Sequence, residues 1–288
     1  MQNMTYAKID LKDYFQTGEG GTSLTYNSLD GKTLAKLFMK GYASEAAERE
    51  FLINKLVYDS GLPTPKPLRL ITDGERYGAE YELIHGKRSF TRIISQEPDR
   101  LVPLSERFAE LARQIHQTPA DTTRLPDMRE LVRSWILRYE ALPEAFKTRF
   151  SAFLDTVPST PRCLHGDLHI GNLISDGTRD LWIDVGDFAY GAPEWDLGML
   201  YYSANFLSPE RADNIFHLDV TTLRRHWDVF ARAYYRTDDQ EVLDTRVREL
   251  EPFIAAKMAF VISKLQDGKG GASEGLLALF DRFLGPEF

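Results

Sequence analysis

Cysteine, long apolar runs and clustered positive charge are all scarce in this sequence of 288 residues. The single Cys163 cannot form a disulfide within the chain, and it excludes a cysteine-rich zinc site. We interpret Cys163 as a small core residue and expect a reducing, cytoplasmic location. No stretch reaches the roughly 18 apolar residues that span a bilayer. The first residues also lack a basic stretch followed by an apolar core, so we expect neither a signal peptide nor a membrane partner.

The shortage of positive charge argues against a nucleic-acid partner. Lys and Arg number 35 against 43 Asp and Glu, which gives a formal net charge of −8. The closest approach to a basic cluster, at 124–138, is interrupted by acidic and apolar residues. A phosphate backbone is repelled by such a surface unless the basic residues are gathered. The length and the 43% hydrophobic content are those of a globular protein with one large domain or two lobes.

The first 85 residues read as strands with one helix. Alternating or β-branched runs at 22–29 and 33–39 flank Asp30-Gly31, a hairpin signal. A second hairpin is predicted from 68–72 and 77–84 around Asp73-Gly74. Between them, 45–60 has the pattern of a helix, with Ser44 as its N-cap and Gly61 as its stop.

After Gly86 the pattern changes to helices. Apolar spacing predicts helices at 104–117, 127–141, 144–156, 194–206, 220–236, 243–266 and 274–284. The exception lies at 162–186, where short strands at 172–174 and 181–185 are joined by a turn at 175–178. We therefore predict an α+β chain with a β-rich N-terminal lobe, 1–85, and a larger helical lobe, 86–288.

Acidic and amide side chains lie close together in two predicted loops within and just after the segment 162–186. The sequence Leu-His-Gly-Asp-Leu-His-Ile-Gly-Asn occupies 164–172, and Trp-Ile-Asp-Val-Gly-Asp occupies 182–187. Phosphoryl transfer needs a carboxylate that orients and deprotonates the acceptor, together with oxygen ligands for Mg²⁺. Asp167 and Asn172 are five residues apart, and a hairpin returns the chain to place Asp184 at the same end. With Asp187, four acidic or amide residues occur at this spacing. We therefore interpret them as residues of a catalytic site and not as turn formers.

These two loops resemble the Brenner-type motif of the aminoglycoside phosphotransferase and choline kinase superfamily. The resemblance implies a bilobal, protein-kinase-like fold with a small β-rich N-lobe and a larger helical C-lobe. It implies that Asp167 is the catalytic base and that Asn172 and Asp184 bind the metal. The sequence Gly-Ala-Pro-Glu-Trp-Asp-Leu-Gly at 191–198 resembles the helix start that follows in these kinases, where Asp196 would brace the catalytic loop.

The resemblance continues upstream in the N-terminal lobe, where it implies a nucleotide site. The Gly-rich segment at 18–23 matches a phosphate-binding loop, and Lys36 matches the lysine that holds the α- and β-phosphates. Glu50 is implied as the partner of Lys36, with Glu48 as the alternative. Segment 82–86 resembles the hinge that pairs with the base. The nucleotide-binding residues implied are therefore Gly20, Gly21, Thr22, Ser23, Lys36, Glu50, Glu82 and Ile84.

Other functions remain open beside this one. Asp-x-His at 167–169 opens a metallophosphoesterase motif, but no Gly-Asn-His follows and the β-rich lobe would be unexplained. Ala-Pro-Glu at 192–194 spells the end of a protein-kinase activation segment, yet it lies too close to Asp184 for a peptide-binding segment. A catalytically inactive, pseudokinase-like nucleotide-binding module is the non-enzymatic alternative.

The prediction is therefore a small-molecule kinase with ATP or GTP and Mg²⁺ as cofactors. His165 is interpreted as a packed loop residue, and His169 as one that faces the substrate or lies behind the catalytic groups. The acceptor, the choice between ATP and GTP and the oligomeric state are not readable from the sequence. Aromatic residues are dense after residue 194, where they could stack a sugar or surround a quaternary ammonium, but we favour helix core as their role.

Overall fold

The computed structural model describes residues 4–286 and 288. The strands are β1 (Ala7–Lys8), β2 (Tyr14–Glu19), β3 (Ser23–Ser28), β4 (Thr33–Phe38), β5 (Pro67–Thr72), β6 (Tyr77–Glu82), β7 (Arg88–Ser89), β8 (Cys163–Leu164), β9 (Leu173–Ser175), β10 (Asp180–Trp182) and β11 (Ala189–Tyr190). The α-helices are α1 (Ser44–Asp59), α2 (Phe90–Gln96), α3 (Leu101–Gln117), α4 (Met128–Arg138), α5 (Glu144–Thr156), α6 (Glu194–Asn205), α7 (Pro209–Phe216), α8 (Val220–Tyr235), α9 (Gln240–Leu265) and α10 (Glu274–Leu284).

Contacts divide the chain into two compact units. The first unit is Met1–Phe90 with Asn172–Asp187, and the second is Thr91–Gly171 with Phe188–Phe288. This differs from the division expected from the sequence, which assigned all of 86–288 to one lobe. The reason is that the β9–β10 hairpin bonds to the N-terminal part of the chain. Strand β9 pairs with β7, and the Trp182 amide donates to the Pro63 carbonyl at 2.8 Å.

A six-stranded sheet forms the first unit, in the order β1-β5-β6-β4-β3-β2. Strand β1 is parallel to β5, and the other pairs are antiparallel. Glycines close the predicted hairpins because they adopt positive φ without strain: Gly31 has φ 71° and Gly74 has φ 101°. Both hairpins predicted from Asp-Gly pairs are confirmed.

Helix α1 packs on this sheet through its apolar side chains. Ala47 and Phe51 lie in one core cluster with Phe38 and Leu70 of the strands. The predicted stop is confirmed, since Gly61 has φ 82° just beyond the helix end. The prediction that Ser44 is the N-cap is wrong: Ser44 is the first helical residue and the preceding alanine is the cap.

The second unit contains α3 to α10, with a two-stranded ribbon of β8 and β11. Strand β8 leads into the segment 165–172, which ends in the 3-10 turn Ile170–Asn172. Cys163 is buried, and burial raises the pKa of its thiol to about 11, as suits a core residue. Within residues 4–286 and 288, no helix is both long and apolar enough to cross a membrane.

The seven helices predicted from apolar spacing all occur, with ends displaced by a few residues. Two helices were not predicted, α2 and α7, which have seven and eight residues. About two turns are too short for a 3.6-residue period to stand out from chance. The prediction of an α+β chain, β-rich first and helical afterwards, is confirmed.

Candidate active site

Lys36 joins two carboxylates inside the first unit. Its Nζ lies 3.0 Å from Glu50 Oε1 and 3.0 Å from Asp184 Oδ1. The Lys36 and Glu50 side chains are 20% and 19% exposed, whereas that of Asp184 is 55% exposed. The lysine is thus held by a sheltered carboxylate on one side, while the carboxylate on its other side remains open to solvent.

Lys36 comes from β4, Glu50 from α1, and Asp184 from the segment after β10. In β4, Lys36 pairs with Thr25 on one side and Ala79 on the other, in the middle of the sheet. Its neighbours along the strand, Ala35 and Leu37, are buried in the opposite face, as the two-residue period of a strand requires. Glu50 comes from α1, and Glu48 does not compete for Lys36 because its carboxylate accepts from the Tyr6 hydroxyl at 3.0 Å.

Asp184 has a left-handed backbone, with φ 54°. This conformation is uncommon outside glycine, although Asp and Asn adopt it more readily than other residues. Asp184 is separated from β10 by Ile183 and leads into the 3-10 turn Val185–Asp187. Close packing continues there, because a Cβ on Gly186 would lie 3.0 Å from Glu50 Cγ. The kink therefore aims the Asp184 carboxylate at Lys36 next to a tightly packed helix.

Electrostatics keep this lysine charged. Burial lowers the pKa of Lys36, but the Asp184 and Glu50 carboxylates outweigh it and raise the pKa above its ordinary value. Burial raises the pKa of Tyr81 nearby, and the same two carboxylates add to that shift. Tyr81 therefore stays a neutral phenol, and its hydroxyl finds no hydrogen-bond partner among the described residues.

Lys36, Glu50 and Asp184 line a cavity of about 300 Å³, and all of its lining residues belong to the first unit. The predicted residues Gly20, Ser23, Lys36, Glu50, Glu82, Ile84 and Asp184 all line it. Gly21 and Thr22 are in the same turn but are not among the lining residues. Further lining residues that the sequence did not indicate are Thr25, Leu34, Asn54, Thr64, Pro65, Tyr81, Lys87 and Ile183.

The turn between β2 and β3 explains why only part of the Gly-rich segment lines the cavity. The Gly20 amide donates to the Ser23 carbonyl at 2.8 Å, which closes the turn. The Thr22 carbonyl accepts from the Met39 amide at 2.9 Å. Gly21 and Thr22 are exposed at the tip of the turn, while Ser23 is buried. A ligand in the cavity would therefore meet the two sides of the turn before its tip.

The last residue of β6 and the segment after it also line the cavity. The Glu82 amide donates to the Lys66 carbonyl at 3.0 Å, and the Glu82 side chain accepts from the Lys66 amide at 3.1 Å. Ile84 is 5% exposed, and the described residues provide no hydrogen-bond partner for its backbone. Buried backbone groups are almost always paired, so Ile84 is the residue here that suits a polar ligand.

Asn172 lies at the other end of the β9–β10 hairpin from its turn. Its carbonyl accepts from the Ile183 amide at 2.9 Å, so Asn172 is adjacent to the residue preceding Asp184. The prediction that the hairpin returns the chain to this point is confirmed. Among the described residues, no group of three or more His, Cys, Asp or Glu side chains could hold a metal by itself.

Asp167 lies in the second unit with its side chain 60% exposed. The His169 Nε2 is 3.7 Å from its Oδ2, too long for a hydrogen bond but close enough for electrostatic attraction. His169 Nδ1 accepts from the Gly171 amide at 3.1 Å, and its ring stands against Phe216. His165 is fully buried with its ring against Phe188, which agrees with its interpretation as a packed loop residue.

Asp196 holds this loop from behind. Its carboxylate accepts from the His165 amide at 2.7 Å and the Gly166 amide at 3.0 Å. The His116 Nε2 lies 3.1 Å from the same carboxylate, and His116 Nδ1 lies 2.7 Å from the Tyr234 hydroxyl. Burial raises the pKa of Asp196, but the hydrogen bond and electrostatic attraction of His116, with the electrostatic attraction of His165 and Lys257, outweigh it and lower the pKa below its ordinary value. The carboxylate is therefore an anion buried behind the Asp167 loop.

A comparison of the sequence with models of known protein families identifies the family of this chain. The sequence model of the family described as "Phosphotransferase enzyme family", APH, matches residues 16–234. This chain belongs to that family. The matched range contains Lys36 with its partners Glu50 and Asp184, the residues that line the cavity, and the loop 165–172 with Asp167. Comparison with curated protein sequences gives no match.

Solved structures share the fold of this phosphotransferase. A thermostable mutant of aminoglycoside phosphotransferase APH(4)-Ia is 13% identical, with a TM-score of 0.61 over 94% of each chain. Aminoglycoside phosphotransferase APH(3'')-Id from Streptomyces rimosus is 18% identical, with a TM-score of 0.55 over 86% of this chain and 92% of its own. A choline/ethanolamine kinase family protein from Mesorhizobium loti is 15% identical, with a TM-score of 0.54 over 96% and 89%.

The resemblance to this superfamily, inferred from the two loops, is thus confirmed, and so is the kinase-like α+β fold class. Identities below a fifth concern the fold alone, so the roles of individual residues rest on geometry. The places of Tyr81 and Lys87 in the cavity lining, and of Tyr234 beside His116, were not predicted from the sequence. Only Lys87 had a sequence signal, because it directly follows the hinge-like segment 82–86.

Proposed function

We propose that this phosphotransferase transfers the γ-phosphate of ATP or GTP to a hydroxyl or amine of a small-molecule acceptor. One observation carries the proposal: Lys36, paired at 3.0 Å with both Glu50 and Asp184, lines a cavity of about 300 Å³ beside a Gly-rich turn. A permanently charged lysine, backbone amides and a solvent-facing carboxylate are what a Mg-nucleotide needs from a protein.

The nucleotide occupies this cavity with its phosphates toward Lys36. Lys36 holds the phosphates as a point charge, and Glu50 keeps the ammonium in place. The Gly-rich turn 20–23 lies at the phosphate end, where its glycines allow the backbone to approach the phosphates closely. The base lies at the Glu82–Ile84 end, where the described residues provide no hydrogen-bond partner for the backbone of the buried Ile84. A solved ternary complex of APH(4)-Ia contains AMP-PNP and hygromycin B, which is a precedent for a nucleotide and a small acceptor on this fold.

Asn172 and Asp184 are the residues that fit Mg²⁺. Carboxylate and carboxamide oxygens are ligands that a hard cation prefers, and a site that borrows phosphate oxygens needs few protein ligands. The hairpin places the two residues one position apart across the strand pair, and Asp184 is more than half exposed. When bound, Mg²⁺ neutralises charge on the β- and γ-phosphates.

Asp167 serves as the catalytic base. Its carboxylate is exposed and follows two amides anchored on the buried Asp196. It orients the acceptor and receives its proton as the bond to phosphorus forms. His169, 3.7 Å from Asp167 Oδ2, adds positive charge only when protonated, so it influences the carboxylate without replacing it.

The test is a screen in which release of ADP or GDP is measured with candidate acceptors, including aminoglycosides, choline and phosphate-free sugars. We expect one acceptor class to raise nucleotide turnover far above the rate with water, and Asp167→Asn to remove that increase. Nucleotide binding without transfer to any acceptor would instead identify an inactive nucleotide-binding module. Failure of ATP and GTP to bind at all would contradict the proposal.

A further inference from the structure

The charges around the cavity do not balance for a polyanionic ligand. Its lining carries four carboxylates, Glu19, Glu50, Glu82 and Asp184, against two ammonium groups, those of Lys36 and Lys87. Lys36 is already shared between two carboxylates at 3.0 Å. A nucleoside triphosphate brings about four further negative charges, of which a bound Mg²⁺ would offset two, so its binding is favoured by a positive side chain that is not already engaged.

Lys87 is the uncommitted cation of this lining. It follows Gly86, whose φ of 65° turns the chain after the hinge-like segment. The side chain is exposed at the cavity, and no hydrogen bond or ion pair engages its ammonium among the described residues. Desolvation in the cavity lowers the pKa of Lys87, and the attraction of the Asp184 carboxylate opposes that shift. Lys87 and Asp184 line the same cavity of about 300 Å³, so the ammonium and the carboxylate that marks the phosphate end face one binding space.

We propose that Lys87 is a second phosphate-binding residue, which contacts the terminal phosphates of the bound nucleoside triphosphate. The inference rests on the proposed function and extends it to a residue outside the kinase-like motifs. Lysine suits the role because a compact charge on a flexible four-carbon stem can follow a phosphate group. Before a nucleotide binds, the same charge offsets part of the acidic lining near Asp184.

A contact with terminal phosphates makes affinity depend on phosphate number. Titration calorimetry with adenosine, ADP and ATP, repeated with the guanosine series, measures this in wild type, Lys87→Ala and Lys87→Arg. A charge-assisted hydrogen bond contributes enough that Lys87→Ala should weaken ATP or GTP binding about tenfold. ADP or GDP should lose less, the nucleoside should lose nothing, and Lys87→Arg should keep most of the affinity.

Lys66→Ala is the matched control. Lys66 is also an exposed lysine beside the hinge-like segment, to which its backbone bonds, but it does not line the cavity. The two alanine variants therefore remove the same charge from nearby positions. Lys66→Ala should bind every nucleotide as wild type does, which excludes a general electrostatic effect of net charge.

Magnesium gives a second arm of the test. Without Mg²⁺ the triphosphate keeps more negative charge, so Lys87→Ala should cost more affinity in EDTA than in Mg²⁺. Equal triphosphate affinity in Lys87→Ala and wild type would overturn the inference, as would an equal loss for nucleoside and triphosphate. If wild type binds neither ATP nor GTP, the proposed function itself fails, which is a distinct result.

Discussion

Gly78 lies in β6 at the point where the sheet must hold Lys36, and it has no room for a side chain. It pairs with Leu37 of β4. A Cβ on Gly78 would overlap the Lys36 carbonyl oxygen and would approach Leu37 Cα to 2.9 Å. These are backbone atoms in the middle of a six-stranded sheet, so no side-chain rotation can relieve the overlap. The strands β4 and β6 would have to separate.

We therefore expect Gly78→Ala to lower the free energy of unfolding by about 3 kcal/mol, at the upper end of overpacking costs. Nucleotide affinity should fall as well, because displacing β4 moves Lys36 out of hydrogen-bond distance of Glu50 and Asp184. Urea unfolding followed by circular dichroism measures the first effect, and calorimetry with ATP and GTP measures the second.

Gly21→Ala is the control for this prediction. Gly21 is exposed in the turn between β2 and β3, and a Cβ there would meet no atom within 4 Å. Its cost should stay within about 0.5 kcal/mol. Were Gly78→Ala as stable as Gly21→Ala, the register of β4 against β6 that positions Lys36 would be refuted.

Two further predictions concern charge. Asp184→Asn should abolish the Mg²⁺ dependence of nucleotide affinity while keeping the backbone conformation, because Asn also tolerates φ 54°. Asp184→Ala should in addition introduce backbone strain of about 1 kcal/mol. Calorimetry with and without Mg²⁺ checks this, and an unchanged Mg²⁺ dependence would show that Asp184 does not bind the metal. His226 is fully buried, and burial lowers its pKa to about 3. It stays neutral in the fold but takes a proton near pH 6.5 when unfolded, so its contribution is complete above that pH. Stability should fall by roughly 1 kcal/mol per pH unit between pH 6.5 and 3. His226→Gln should flatten this slope in urea titrations, and an identical slope in both proteins would contradict the assignment.

Local patterns in the sequence were sufficient to predict the turns and the longer helices. Asp-Gly pairs specify hairpins because glycine alone takes positive φ freely, and Gly31 and Gly74 do so here. Apolar spacing located α3 because one face of that helix is buried along its length. The same method failed for α7, whose eight residues give only two turns.

The candidate site could be predicted only in part, because most of its pairings are tertiary. The sequence left Glu48 and Glu50 open as partners of Lys36. Two residues along a helix are about 200° apart, so only one can face the strand, and the packing of α1 selects Glu50. Likewise, the role of Tyr234 behind His116 depends on α8 lying against α3, which no spacing within either helix indicates.

The central claim, that Asp167 is the base of a phosphotransferase, is tested most directly by turnover of three variants with the acceptor found in the screen. Asp167→Asn, Asp187→Asn and His169→Ala should be assayed together, with nucleotide affinity measured for each. We expect Asp167→Asn to lose about 10²–10⁴-fold in kcat with nearly unchanged nucleotide affinity, since a positioned base contributes that much. The other two should remain far more active. Retention of more than about a tenth of wild-type turnover by Asp167→Asn, with either of the others inactive, would contradict the claim.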